Sequence, residues 1–315
     1  MSGLVTTIIP VYNRAAMLAD AVASVLAQTH RPIEIVIVDD GSTDDTPSAI
    51  EALARAHAGV RALRIPNGGP GTAREAARVI AAGEFIQHLD SDDLIDPRKF
   101  ELQVAALREH PDCGIAYCKA RLVNADGSVD PTPSRRTGER FDTMFPAMLQ
   151  SRWWETAAPL YRASLIRDAG PWLPLRAEED WEFDARIAVN GVRVCFIDEW
   201  LCSHRRHDAN ISGHFDERTL RDRAIAHAAI YRHATAAGIG ADAPEMRHFA
   251  RELFLLARQC GSLGLTTEAA MLFDLARDAS GGERDRLQFR AFDALVRLTG
   301  WTVAGKVAAA IDRMR

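Results

Sequence analysis

Cysteine is scarce in this chain of 315 residues, and what there is lies badly for cross-linking. Cys113, Cys118, Cys195, Cys202 and Cys260 are odd in number, form no C-x-x-C pair and have no histidine beside them at zinc-ligand spacing. Neither a disulfide framework nor a structural zinc site is expected, and all five read as reduced, mostly buried thiols. An excess of positive charge is also missing. Lys and Arg number 38 against 43 Asp and Glu, a formal net charge of -5, so no nucleic-acid partner is indicated. No stretch approaches the roughly 18 uninterrupted apolar residues of a membrane span. No basic segment followed by an apolar one opens the chain, because Met1-Ser2-Gly3 runs straight into a strand-like Leu4 to Ile9. The expectation is a cytoplasmic protein, with peripheral contact at the inner face of the cell membrane as the alternative.

Two glycine-rich motifs are imitated without being present. Gly69-Pro70-Gly71 would put Arg74 at the third glycine of G-x-G-x-x-G, and Pro70 interrupts the turn, which disfavours a nicotinamide or flavin enzyme. Gly300 to Lys306 mimics a phosphate loop, but Val307 follows where Ser or Thr belongs and no strand precedes it. Internal repeats and low-complexity tracts are absent as well.

What is present is a globular composition, 47% hydrophobic and 26% charged, in a chain long enough for one large domain with an appendage or for two domains. Short β-branched runs alternate with amphipathic segments: Val5 to Ile9, Ala15 to Gln28, Ile33 to Val38, Thr46 to Ala56, Val60 to Ile65, Thr72 to Ala82 and Phe85 to Leu89. Near-continuous apolar strands separated by helices predict an α/β fold, a doubly wound, mostly parallel sheet with helices on both faces. Residues 121–150 have little periodicity and predict a long irregular connection that could serve as a lid or acceptor loop. Beyond about residue 215 the pattern is helical over Glu217 to Ala236, Pro244 to Cys260, Thr267 to Ala279 and Gln288 to Met314.

In such sheets ligands sit beyond the carboxyl ends of the strands, and here those ends are polar. The first ends in Pro10-Val11-Tyr12-Asn13-Arg14, the second in Asp39-Asp40-Gly41-Ser42, and the fourth in Asp90-Ser91-Asp92-Asp93. Asp90 and Asp92, two apart in extended chain, point to one side and suit Mg²⁺ or Mn²⁺ on a diphosphate. The competing reading is a helix cap, for which Asp96-Pro97 is suited. Asp39-Asp40 can accept from a base N–H or a ribose hydroxyl, or can simply make a turn before an N-cap at Asp44 or Asp45. Tyr12 can stack on a base or pack. Arg74 opens a helix after a glycine-rich turn, where a cation meets phosphate. Glu178-Glu179-Asp180 reads equally as an acidic first helical turn. His204-Arg205-Arg206-His207 follows a strand predicted over Val192 to Ile197, and reads as a diphosphate clamp, as part of a metal shell or as a solvated loop.

In order and spacing, Val5 to Arg14, Glu34 to Asp44, and Gly83-Glu84-Phe85-Ile86 leading into Asp90-Ser91-Asp92-Asp93 resemble the family-2 inverting glycosyltransferases over about residues 4–212. That resemblance implies a GT-A fold in residues 1–214, with a nucleotide-sugar half at 1–95 and an acceptor half at 96–214, and a helical region at 215–315. It implies a nucleotide-diphosphate sugar donor, a carbohydrate or lipid-linked acceptor hydroxyl, and a role in cell-surface polysaccharide or glycoconjugate synthesis. It carries over Pro10, Tyr12, Asn13, Arg14, Asp39, Asp40, Arg74, Asp90, Ser91, Glu179 and Arg205 as donor-binding residues. Asp92, Asp90 and His207 become metal ligands for Mn²⁺ or Mg²⁺, and Asp180 the catalytic base. His204 replaces a Tyr of the family segment, and Glu75 replaces the usual Asn after Ala-Arg, which leaves Glu75 without a role. Alternatives from other classes are a sugar nucleotidyltransferase, which would carry a glycine-rich loop with Arg and Lys after its first strand, and a non-catalytic nucleotide-sugar binding protein. The helical end, with Leu298, Val303, Val307 and Ile311 among Arg297, Lys306 and Arg313, suits a membrane surface, a second subunit or packing on the catalytic domain.

Overall fold

The computed structural model describes residues 3–207, 216–281 and 283–313. The expected domain boundary at 214 and the end of the basic segment, Asp208 to Ser212, lie outside the described residues.

Strands form where the β-branched runs predict them. β1 (Val5–Val11), β2 (Ile33–Asp39), β3 (Val60–Arg64) and β4 (Phe85–His88) lie parallel in the order β3-β2-β1-β4, connected through α1 (Ala15–Leu26), α2 (Thr46–Ala56) and α3 (Pro70–Ile80). All of β1 and the last five residues of β2 are buried, which is why they read as continuous apolar runs. α3 starts two residues before the expected Thr72, because Pro70 fits a first helical turn, where no N–H is needed. Gly71 is obligatory there: a β-carbon would stand 2.1 Å from the Leu173 carbonyl oxygen.

The other half of the sheet mixes directions. It comprises β5 (Leu94–Ile95), α4 (Lys99–Glu109), β6 (Cys113–Val123), β7 (Leu160–Arg162), α5 (Ala163–Asp168), α6 (Glu179–Ala188) and β8 (Arg193–Arg205). β7 lies antiparallel between β4 and β6, β8 runs parallel to β6, and β5 closes the edge antiparallel to β8, giving eight strands in the order β3-β2-β1-β4-β7-β6-β8-β5. The sheet is mostly parallel, as expected. β8 is longer than the expected Val192 to Ile197. Asp198 and Glu199 break its apolar pattern at a register jump from Cys118↔Ile197 to Lys119↔Trp200, and pairing then resumes. His204 and Arg205 therefore stand on a strand and not in a solvated loop.

The chain divides into two compact units, one of Met1–Met144, Trp153–Phe183 and Gly191–Asn210, the other of Phe145–Arg152, Asp184–Asn190 and Ile211–Arg315. Two short segments expected in the sheet domain thus join the helical unit. Local chemistry explains this: Arg152 Nε donates to Asp184 Oδ2 at 2.8 Å with both side chains buried. Met148 and Leu149, on a 3₁₀ turn at Ala147–Leu149, are buried too. The helical unit contains α7 (Glu217–Ala236), α8 (Pro244–Ser262), α9 (Thr266–Ser280) and α10 (Glu283–Arg313). Its aromatic core gathers Phe254, Phe273, Phe289, Phe292 and Trp301. α10 is not the continuous helix expected from Gln288 onward, because Gly300 (φ 79, ψ 163) breaks it. Within it, Leu287–Ile311 is long and apolar enough to cross a membrane by length and composition alone, with a mean hydropathy of 1.2 and 17% burial. A search for an uninterrupted run passes over this segment because Arg290, Asp293, Arg297 and Lys306 punctuate it.

Candidate active site

The ends of β1, β2 and β4, the start of α3, the start of α6 and the end of β8 come together at one edge of the sheet unit. Pro10 is buried inside β1, in register with Val38. Tyr12 is 45% exposed beside it, placed for stacking and not for packing. Asn13 adopts a left-handed conformation (φ 52), which lets its Oδ1 accept from the Thr43 N–H at 2.8 Å while its own N–H donates to Ser42 Oγ at 3.0 Å. This lashes the tip of β1 to that of β2. Asp39 Oδ1 accepts from the Ser42 N–H at 2.8 Å, whereas its buried Oδ2 accepts no hydrogen bond and stands 3.4 Å from Arg64 Nε. A buried acceptor in that state suits a ligand N–H or hydroxyl. Asp40, expected on the nucleotide, has both oxygens taken by the Gly68 and Gly69 N–H groups at 2.7 and 2.8 Å, so it holds the loop before α3.

Two ion clusters follow. In the first, Asp92 Oδ2 pairs with the Arg14 guanidinium and lies 2.9 Å from His207 Nε2, the three side chains being 8–17% exposed. In the second, Arg74 donates to Asp90 Oδ1 at 2.7 Å and to Glu179, and stacks over Trp172 at 5.2 Å. Arg74 is 2% exposed, and its partners are these carboxylates and the Trp172 ring. Burial opposes its charge, but Asp90 and Glu179 outweigh that and raise its pKa. Burial pushes the Glu179 carboxyl up to about 7, with the Arg74 charge opposing. Glu75, left without a role by the sequence, pairs with Arg78 and accepts from the Trp172 N–H at 3.0 Å.

Ser91 is buried between the clusters. Asp93, buried next to Asp92, accepts from His204 Nδ1 and the Arg205 N–H, each at 3.1 Å. Burial alone would neutralise this pair. Asp93 nevertheless raises His204 to about 9, and the second donor on Asp93 favours a charged pair over a shared proton. Arg205 donates to the Asp92 carbonyl and, at 2.9 Å, to Asp20 Oδ2, so it clamps the β4 tip onto α1. Asp180 receives the Trp181 N–H at 2.7 Å on Oδ1 and the Thr156 hydroxyl at 3.3 Å on Oδ2. It follows Glu178, a second left-handed residue (φ 59), and Glu179. Sequence reasoning misses Thr156 and Glu155, which lie just beyond the irregular connection expected at residues 121–150. A carboxylate directly after Trp153-Trp154 is the only signal of them there.

Of the expected metal ligands, Asp92 and His207 adjoin, whereas Asp90 turns to Arg74. Among the described residues no three His, Cys, Asp or Glu side chains form a metal-binding group. The Asp92 and His207 pair still fits a cation that arrives on a diphosphate, since Mg²⁺-like ions take one or two protein ligands and complete their shell with phosphate and water. Arg14 already sets a positive charge against Asp92 at this point.

The family described as glycosyl transferase family 2 matches residues 6–167. An uncharacterized glycosyltransferase of Rickettsia felis is 42% identical over 147 residues, which is 47% of this chain and only 24% of that protein. In fold, the chain is similar to S. aureus TarS 1-349 in complex with UDP-GlcNAc, with a TM-score of 0.72 at 20% identity, covering 99% of this chain and 92% of that one. It is also similar to a mannosyltransferase from Pyrobaculum calidifontis in complex with GDP-Man and Mn²⁺, with a TM-score of 0.52 at 20% identity over 98% of this chain and 86% of that one.

Proposed function

The chain belongs to glycosyl transferase family 2 and has the GT-A fold, and from that premise we propose that it transfers a sugar from a nucleotide-diphosphate donor to an acceptor hydroxyl with inversion. The observation that carries this reading is the convergence of Asp39, Asp92, His207 and Asp180 from four separate segments on one sheet edge. Asp39 Oδ2 receives a base or ribose hydrogen, and Tyr12 offers its ring to the base. Arg14 lies at the diphosphate. Asp92 and His207 would hold Mn²⁺ or Mg²⁺, which supplies positive charge for the departing diphosphate. Asp180 accepts the proton of the acceptor hydroxyl as that oxygen bonds to the anomeric carbon. The bond to the diphosphate breaks in the same step, its electron pair leaving with the diphosphate, and attack from the opposite face inverts the configuration. Arg74 and Arg205 hold Asp90, Glu179 and the β4 tip in place throughout. The acceptor is a carbohydrate or a lipid-linked sugar of cell-surface polysaccharide or glycoconjugate synthesis.

The exposed apolar residues of α10, led by Leu298 at 84% exposure, are where an inner membrane face or a second copy would be met. Flotation with anionic vesicles, with and without the residues after 290, tells these apart: a lipid-bound full chain favours the membrane, and a free dimer favours the second copy.

The donor site is tested by thermal shift with UDP-, GDP- and dTDP-sugars, each with Mn²⁺ and with EDTA, because a ligand of the native state raises its apparent stability. A selective, metal-dependent shift is expected. Stabilisation by none of them would remove the donor assignment and leave the fold.

A further inference from the structure

A buried polar network lies behind the site, and nothing in the proposed chemistry uses it. Lys99, Gln87 and Gln103 are 0% exposed. Lys99 Nζ donates to Oε1 of both glutamines. A lysine amine only donates to oxygen, so each glutamine must turn its oxygen toward Lys99 and its amide hydrogens away. One donor bond of each amide reaches the backbone of a single turn, from Gln87 Nε2 to Ala157 O at 3.2 Å and from Gln103 Nε2 to Ala158 O at 2.8 Å, while the others go to His88 O and, at 2.9 Å, to Ala116 O on β6. The turn is closed on itself by the Ala158 N–H on Glu155 O at 2.9 Å.

The front of the same turn carries two polar side chains toward the site. Glu155 Oε2 pairs with Arg135 Nε at 3.0 Å, and Arg135, like Asn13 and Glu178, is a left-handed residue other than glycine among the described residues (φ 54). Thr156 Oγ1 donates to Asp180 Oδ2 at 3.3 Å. From β4 and α4, through two amides, to the turn and then to the carboxylate, each link is a hydrogen bond between buried or nearly buried groups.

We propose that Thr156 is a positioning residue for Asp180, and that the Lys99, Gln87 and Gln103 network fixes the turn from which it acts. This inference rests on Asp180 being the base. With its oxygen held by Thr156, the carboxylate keeps one rotamer in the absence of acceptor, and the approach geometry of the hydroxyl is set in advance. Packing alone would be served equally well by valine at 156, since the two side chains have nearly the same shape; only the hydroxyl distinguishes the proposal.

The experiment uses the full chain with Mn²⁺ and the UDP- or GDP-sugar that gives the largest thermal shift, and follows release of the nucleoside diphosphate. Thr156→Val is expected to lower kcat by up to about 10²-fold, the scale of a small misplacement of a catalytic group, with the donor KM held within about twofold. Thr156→Ser is expected to restore most of kcat. A Thr156→Val protein with wild-type kcat, or a Thr156→Ser protein as slow as the valine variant, would overturn the proposal. Asp180→Asn is run alongside. If it is inactive while Thr156→Val is fully active, the positioning role fails and the base stands; if it is fully active, the base itself fails. Folded Lys99→Met, checked by circular dichroism, is expected to share the kcat loss at unchanged donor KM, and an undiminished kcat there removes the network from the proposal.

Discussion

The two ion clusters at the sheet edge are alike in composition and different in circumstance. Arg74 and Glu179 are sealed at 3% and 7% side-chain exposure, with Asp90 beside them open to solvent at 33%, whereas Arg14, Asp92 and His207 are each partly reached by solvent, at 17%, 8% and 14%. In the sealed cluster the buried charges have their counter-charge from the protein, and removing Arg74 leaves Glu179 stranded at low dielectric. In the open cluster a diphosphate and its cation can take over the partners of Asp92 with little loss. In the proposed function the same residue types thus brace the site in one place and bind in the other, and the difference is one of burial and not of sequence pattern.

Substitutions that separate bracing from binding sharpen this contrast. The largest effect is expected at Asp180, which adjoins the sealed cluster and in the proposed function takes the acceptor proton. Asp180→Asn should lower kcat by about 10²–10⁴-fold, the worth of a positioned base, while the thermal shift with donor persists. Loss of that shift would make Asp180 part of the brace. Next comes Arg74→Ala, which breaks a buried pair and should cost about 3–5 kcal/mol of stability in urea unfolding. A stable Arg74→Ala protein with weakened donor binding would reverse the roles of the two clusters. Asp92→Ala should leave the unfolding midpoint nearly unchanged and weaken donor affinity about tenfold, close to 1.4 kcal/mol by calorimetry, in Mn²⁺ but not in EDTA. Equal affinities in the two buffers would argue that Arg14 and not a metal is the partner of Asp92.

The smallest effect concerns Lys99, behind both clusters. Burial lowers its pKa below the ordinary lysine range, so the unfolded chain binds that proton more tightly than the folded one. Stability from this group is therefore fully present above the ordinary lysine pKa and is lost as pH falls through the lower folded value. The wild type should gain on Lys99→Met between pH 8 and 10, with a slope no steeper than about 1.4 kcal/mol per pH unit. Parallel stability curves for the two proteins would show that Lys99 keeps its proton in the core.

The parallel strands and their tips were legible because two-sided burial writes itself as apolar runs, and whatever follows such a run at a sheet edge is polar for a reason. Asp39 and Asp92 are found that way, whereas Asp180, in a first helical turn, is singled out only by the family resemblance. Burial of individual ions is not written in the same terms. Arg74 looks like a phosphate ligand in sequence because a helix start after a glycine turn is a good phosphate site; its burial against Trp172 and Glu179 is visible only in the fold. Asp40 misleads similarly, since a turn acceptor and a ribose acceptor are the same residue type. Thr156 and Glu155 were beyond reach, because a turn held by side chains from β4 and α4 leaves no periodic trace. The length of β8 was hidden by two acidic residues at a bulge.

The break at Gly300 bears on how α10 can meet lipid. It divides Glu283–Arg313 into rods of about 25 Å and about 20 Å at 1.5 Å per residue, and neither matches a hydrocarbon core about 30 Å thick. A segment that counts as one span by composition is, as built, two short pieces with a corner between them. Such a shape would suit lying along a bilayer rather than crossing it, and that is the arrangement the proposed membrane contact would use.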